Sequence, residues 1–479
     1  MEAGSGERQP GLDAMTQARA ADTLGMPEAE MRALGHQMVE MVIAHLVGRA
    51  DETAIEVIDR ASLEALIGGP VPHEPSDAAS ALATLRTHVI PNQQHGDHPR
   101  YFARVPSPAA FTGILGDWLA TGFNSIAASW VGGSGTAVTE LVVIDWLRQC
   151  LRMPVGTQGI IVSGGSLANF TAFAAAFAAK GRGVVYTNDQ THASLKRNLT
   201  AAGLSPSDIR VLKTNARQEY DVNALAQAIH ADKAAGLTPV MVICNAGTTN
   251  TGAVDPLPAI AALAHAENLW LHVDGAYGGP AAMTAQGAQD LAGMELADSL
   301  VIDPHKWLFQ PYDCGVVLVR HPGALERAFA MSPEYLKDVM GGEDKVDLFN
   351  RSLELTRKTR ALKLWLTFKT HGLTRIAAGI QAGMDVALRA QDMVQAQPKV
   401  WELVTPAKLG ILTFARRGAG PQDHERLVAQ LTAEGWATLS STTIMGRMVL
   451  RLCTLNPLTT EADIRGTLER LAVMPVSGC

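Results

Sequence analysis

Five places put chemically versatile residues where short apolar runs stop. Ser163-Gly164-Gly165-Ser166-Leu167-Ala168-Asn169 follows the run 159–162 and opens an alanine-rich stretch. Its glycines let backbone approach a ligand, and a helix start offers free N–H groups to an anion. A plain strand-to-helix turn has the same composition. His192 follows Asn188-Asp189-Gln190-Thr191. Its imidazole suits stacking on a flat ring, although a lone histidine is more often structural. Gly247-Thr248-Thr249-Asn250-Thr251-Gly252 is either an ordinary loop or a hydroxyl-lined wall. Asp274, in His272-Val273-Asp274-Gly275-Ala276-Tyr277, ends an apolar run, where a buried carboxylate needs a cation or a proton. Lys306, in Asp303-Pro304-His305-Lys306-Trp307, sits after the run 299–302. Burial is expected to lower its pKa and leave a nucleophilic amine; a salt-bridged core lysine is the plainer reading.

The elements that must position these residues are short and alternate. Apolar runs at 159–162, 183–186, 209–212, 239–244, 269–273, 299–302 and 315–319 read as buried strands, with helical patterns between most of them. That alternation predicts an α/β fold with a mostly parallel sheet covered on both faces, whose ligands collect at the carboxyl ends of strands. Before it lie a polar arm (1–25) and helical segments at 28–47 and 77–89. A proline-bearing connection follows, with Pro91, Pro99, Pro106 and Pro108. After it, a long helix is predicted from Arg357 through Lys369, then strand-like runs such as 448–453 and a final helix. The expected division is 1–110, 111–370 and 371–479. The first part has too few apolar residues for its own core and is expected to pack on another subunit.

Composition narrows the classes. At 479 residues the chain exceeds the roughly 250–300 that one core takes. A hydrophobic fraction of 47% excludes a disordered chain, and a net charge of −7 carries no nucleic-acid signature. Five scattered cysteines make neither a disulfide framework nor a zinc site, which suits a reducing, cytoplasmic setting. Residues 1–10 carry no apolar signal core. The uncharged stretch 159–179 has the length of a membrane span, but its Ser-Gly-Gly-Ser-Asn cluster reads as strand, loop and helix. His95 and His98, with no third ligand, do not make a metal site. Neither nucleotide-binding glycine fingerprint is present. A phosphate cup, a ring-stacking histidine, an acid for a ring nitrogen and a Schiff-base lysine together match the needs of pyridoxal 5′-phosphate (PLP).

The chain resembles the group II PLP-dependent decarboxylases, the aromatic-L-amino-acid decarboxylase family. The similarity runs from about residue 28 to the end. It rests on His98-Pro99-Arg100-Tyr101-Phe102-Ala103, on Thr139-Glu140-Leu141 with Asp145-Trp146-Leu147, and on the five strand-end motifs, above all His305-Lys306-Trp307 and His272-Val273-Asp274 with Ala276-Tyr277. The resemblance implies a type I aminotransferase-like fold with a large seven-stranded domain, an N-terminal helical segment and a small C-terminal α+β domain. It implies a homodimer with the active site at the interface. By the same resemblance Lys306 is the Schiff-base lysine, Asp274 the partner of the pyridine nitrogen and His192 the ring-stacking histidine. Gly165 and Ser166 match the phosphate cup and Thr249 a threonine near the ring. Ala276 is the small residue against the ring, His305 precedes the lysine, and Arg451 matches a family arginine. The implied activity is decarboxylation of an L-amino acid, aromatic by preference, to the amine and carbon dioxide.

Two departures stand out. Asp303 replaces the asparagine of eukaryotic aromatic decarboxylases, and an anion near a phosphate must pair or turn away. In 346–352, matching the family's mobile loop, no tyrosine occurs; Leu348 and Phe349 fall nearest, and Tyr335 lies earlier. Relatives with phenylalanine there release aldehyde instead, so an aldehyde synthase is the alternative. A non-catalytic homologue is a third reading, disfavoured because Lys306 and Asp274 are present. Tyr101, Phe102, Trp130 and Phe349 are candidates for an apolar substrate pocket, to which Arg451 also belongs. Arg104 either binds an acidic side chain or faces solvent.

Overall fold

A computed structural model describes residues 24–105, 107–331, 334, 342, 345–420 and 422–476. The arm up to residue 23, Pro106, Tyr335 and Cys479 lie outside the described residues. The chain divides into two compact units. One holds the residues up to Glu52 together with Arg60–Ile90; the other holds Thr53–Asp59 and everything from Pro91.

The smaller unit is helical. Helix Glu28–Gly48 agrees with the expected 28–47. Ala78–Thr84 continues through a wider turn at Leu85–Val89, and Asp77 caps its start by accepting the Ser80 N–H. The connection 91–110, expected to group with these helices, belongs to the larger unit. Its backbone explains why: Phe102 N–H donates to Thr438 O, Cys453 N–H to Phe102 O, and Ala110 N–H to Phe309 O.

The larger unit is built on a seven-stranded sheet. Its strands are β1 (Gln158–Val162), β2 (Val184–Asn188), β3 (Ile209–Leu212), β4 (Pro239–Asn245), β5 (Trp270–Asp274), β6 (Ser299–Ile302) and β7 (Gly315–Val319), in the order β1-β7-β6-β5-β4-β2-β3. Only β7 is reversed, pairing antiparallel with β1 and β6. The carboxyl ends of β1, β2, β4, β5 and β6 therefore meet at one edge. Every residue of β2, β5, β6 and β7 is buried, which is why these strands read as mostly apolar runs. The stretch that mimicked a membrane span is β1 plus helix Gly165–Lys180, whose Ala168, Ala172, Phe173 and Ala176 pack on the sheet. Among the described residues no helix is long and apolar enough to cross a membrane. A second sheet, antiparallel in the order β10-β11-β9-β8, comprises β8 (Trp401–Lys408), β9 (Ile411–Arg416), β10 (Ser440–Ile444) and β11 (Arg447–Cys453).

The long helix differs from expectation. It begins at Ala361, not Arg357, and runs to Gln395 with a break at Gly372, where φ is 66°. The cause is Arg357, whose fully buried guanidinium donates to Glu140 Oε1 (2.7 Å), to Ala127 O (2.6 Å) and to Ile161 O (2.5 Å). Lys358 meanwhile bridges Ile126. Backbone held extended by those contacts cannot yet be helical. Glu140 Oε1 also accepts the Ile161 N–H at 2.9 Å, so the pair anchors β1 just before the Ser163 turn. Removing one member leaves a buried charge uncompensated, at a cost of about 3–5 kcal/mol. Arg357→Met is expected to lower the denaturant midpoint by that equivalent; an unchanged midpoint in a urea titration would contradict this account.

Candidate active site

The carboxyl edge of the large sheet lines a cavity of about 620 Å³. Lys306, Asp274, His192, Gly165, Ser166, Thr249, Ala276, Asp303, His305 and Arg451 all face it. Phe102, Trp130 and Phe349 do not. Phe102 is fully buried in the core of the C-terminal sheet, against Trp401, Phe414 and Leu450. Trp130 starts a helix whose first N–H is tied to Asp347 Oδ1. Phe349 is 3% exposed and its N–H donates to Ala128 O. These three residues, expected as pocket lining, are packing residues within this chain. Tyr101 is likewise buried. Arg104 lines the cavity and is held by Gln94 Oε1 at 2.6 Å.

Each polar group has a local reason for its place. Asp274 ends β5, and one of its oxygens accepts the Ala276 N–H at 3.0 Å. Burial pushes this carboxyl above the usual carboxylate range, opposed by Lys306 and His192. His192 caps helix Ala193–Ala201; its Nδ1 lies 2.8 Å from Ser194 Oγ and accepts the Ser194 N–H. The neutral ring then carries its proton on Nε2. Burial lowers the pKa of His192, against the pull of Asp274. His305 Nδ1 accepts the Cys314 N–H, and burial lowers that imidazole too.

Lys306 corrects the sequence reading. Burial favours the neutral amine, as expected, but Asp303 Oδ2 lies 2.9 Å from Nζ and outweighs it. With Asp274 adding to the field, the ammonium is held above the ordinary lysine range. Asp303 is thus neither turned away nor unpaired. Its Oδ1, however, has no hydrogen-bond partner among the described residues.

Behind the wall runs a buried relay. Trp270 Nε1–H donates to Ser299 Oγ, His272 Nδ1 lies 2.8 Å from that oxygen, and His272 Nε2 lies 2.8 Å from Asn169 Oδ1. Burial takes His272 down to about 3, so it stays neutral. Asp255, raised by burial to about 6, accepts from Asn245, Asn188 and the Tyr220 N–H and ties the ends of β2 and β4. Sequence reading missed Gln94, Asn245, Tyr312 and the strand Ser440-Ser441-Thr442, which also line the cavity. The polar run beginning at Ser440 was the one visible signal for the last.

The residues fit an anionic, aldehyde-bearing heteroaromatic cofactor. A buried carboxylate wants a cationic ring nitrogen, an amine stands ready, and a glycine-opened helix of 16 residues presents free N–H groups. A Cβ on Gly165 would come within 2.7 Å of Asp303 Oδ2, and one on Gly164 within 3.0 Å of His305. The cup is therefore open only because these positions lack side chains.

Such a fold and site define a PLP enzyme. The pyridoxal-dependent decarboxylase conserved domain matches residues 61–417. An aromatic-L-amino-acid decarboxylase of Bacillus atrophaeus is 39% identical over 457 residues, covering 93% of this chain and 95% of the relative. A phenylacetaldehyde synthase of Arabidopsis thaliana is 29% identical, covering 92% and 94%. The crystal structure of Oryza sativa TDC with PLP and tryptamine superposes with a TM-score of 0.88 at 27% identity, covering 93% and 97%. The chain belongs to the pyridoxal-dependent decarboxylase family. It is a PLP-dependent amino-acid decarboxylase.

Gly165→Ala should weaken PLP binding by at least about tenfold, since the methyl must displace Asp303; one decade corresponds to about 1.4 kcal/mol. A visible-absorbance titration of cofactor-stripped protein checks this, and wild-type affinity would refute it.

Proposed function

We propose that this chain converts an aromatic L-amino acid to its amine and carbon dioxide, with Lys306, Asp274 and His192 as the reacting constellation. The observation that carries the reading is their convergence, with Gly165 and Ser166, on one cavity. The aromatic preference is supported by the 39% identical Bacillus atrophaeus relative and by the tryptamine-bearing rice structure.

Lys306 supplies the amine that holds the cofactor and later releases the product. The N-terminus of helix Gly165–Lys180 and Ser166 hold the phosphate. Asp274 stabilises a protonated ring nitrogen. Bound PLP acts as the electron sink for the pair freed at Cα when carbon dioxide departs. His192 covers the ring with Nε2–H as donor, and its lowered pKa keeps it neutral at physiological pH. Arg451 donates Nε–H to Thr249 O and Nη1–H to Arg104 O, so it holds two walls in place.

A homodimer with the active site at its interface, in the cytoplasm, completes the proposal. Helices Glu28–Gly48 and Arg60–Ile67 bury none of their residues. Phe111, Leu115, Leu119 and Phe123 are exposed along one helix and its end. Such faces favour a second copy as cover.

Aldehyde synthesis is the second reading, favoured by the absence of tyrosine in 346–352 and by the Arabidopsis relative. A product assay over aromatic, acidic and basic amino acids separates the two. Amine equal to carbon dioxide, without ammonia or peroxide, is expected; aldehyde with ammonia and peroxide would replace the proposal by the second reading. Lys306→Ala should abolish the borohydride-trapped link to the cofactor, and Asp274→Ala should cut turnover by orders of magnitude. In kcat/KM profiles, the acidic limb assigned to His192 should lie below about pH 6.5 and disappear in His192→Gln. A limb unchanged by that substitution would remove His192 from the role.

A further inference from the structure

Arg104 brings into the cavity a charge that the reading above does not use. It lines the wall yet stays exposed, and among the described residues no carboxylate pairs with it. Its guanidinium is held by a neutral amide: Nη1–H donates to Gln94 Oε1 at 2.6 Å. Its backbone is pinned as well. Arg104 has a φ of 57°, a left-handed conformation that a residue with a long side chain rarely adopts. Its N–H donates to Ser440 Oγ at 3.3 Å, and its carbonyl accepts Nη1–H of Arg451 at 2.7 Å. Strain of this kind persists where the surroundings fix it, and it collects at binding sites.

The position of Arg104 decides which part of a substrate it meets. The cofactor's phosphate, ring nitrogen and aldehyde belong, by the assignment above, to Gly165 and Ser166, to Asp274 and to Lys306. Arg104 and Gln94 come from the connection 91–110, and Tyr312 from the segment after Lys306. The Tyr312 ring lies 4.8 Å from the His305 ring and is 60% exposed. Its phenol stands beside Gln94 and feels the charges of Lys306 and Arg104. A substrate delivers its amine to Lys306, so its side chain trails along Tyr312 toward Gln94 and Arg104. Tyr312 offers a flat face for a ring to lie against. Beyond it stand a donor and an acceptor together: the guanidinium N–H groups not spent on Gln94, and the second lone pair of Gln94 Oε1. A ring hydroxyl accepts from the first and donates to the second. A side-chain carboxylate has no hydrogen for Oε1 and meets its lone pairs. An unsubstituted ring strips water from both groups and replaces none of its hydrogen bonds.

We propose that Arg104 is a specificity-determining residue of this site, which selects an aromatic amino acid carrying a ring hydroxyl over one without it. The inference rests on the aromatic reading above.

The test is carbon dioxide release by the PLP-loaded enzyme, a readout that amine and aldehyde formation share. L-Tyrosine, L-phenylalanine and L-glutamate are compared by kcat/KM. Wild type should favour tyrosine over phenylalanine by about tenfold or more, and in Arg104→Leu that ratio should fall to about one. Arg104→Asn, whose side chain tolerates a left-handed backbone, should lose the preference equally. Any loss of folded enzyme lowers both substrates alike, so the ratio isolates recognition. A tyrosine preference that survives in both variants, or a wild type that takes phenylalanine as well as tyrosine, would overturn the inference and leave the aromatic reading standing. A wild type that takes glutamate in place of both aromatic substrates would overturn the aromatic reading and the inference together.

Discussion

The structure depends on a geometric constraint: parallel pairing gathers the carboxyl ends of β1, β2, β4, β5 and β6 at one edge. The strands are mostly apolar, so the polar chemistry open to the cavity lies where they stop. That edge is dry enough for charge to matter and open enough to admit a ligand. Asp274, Asp303, Lys306 and His192 are brought there by strand endings and are kept in charge balance by one another. The reversed strand β7 serves the same edge from the other direction, because its first residue, Gly315, must lack a side chain to sit against Gly164 and Asp303.

Local anchors translate that constraint into fixed positions. Glu140 and Arg357 lock β1 one step before the glycine turn. Asp255 ties the ends of β2 and β4, and Arg451 spans from the second sheet to the Thr249 and Arg104 backbone. All three sit behind the cavity surface or at its rim. A family motif such as Thr139-Glu140-Leu141 thus marks support for the site and not the site itself.

What was legible in the sequence follows from the same physics. Strands buried on both faces announce themselves as apolar runs, so 299–302 and 315–319 coincide with β6 and β7. Strand-end residues were legible for the complementary reason, since a Lys or Asp closing an apolar run is conspicuous. Long-range partnership was not. Arg357 reads as the start of a helix until Glu140, 217 positions away, is seen to hold it. The sign of the Lys306 shift could not be read either, because burial and Asp303 oppose each other and only distance decides. Phe102 looked like pocket lining because aromatic character is visible in sequence, whereas the direction a side chain faces is not.

The relay from Trp270 to Asn169 has a polarity. An indole N–H can only donate, so Ser299 Oγ receives there; Asn169 Oδ1 can only accept, so the neutral His272 ring carries its proton on Nε2 and its Nδ1 accepts the Ser299 hydroxyl. The imidazole, too buried to charge, must then give from Nε2 to Asn169 Oδ1. Every arrow points the same way, and the last one occupies the carbonyl end of the Asn169 amide. What that side chain has left to offer the cavity is its NH₂. From the central strand of the sheet, a chain of three hydrogen bonds thereby engages the carbonyl of a cavity-wall side chain and leaves its NH₂ beside the phosphate cup.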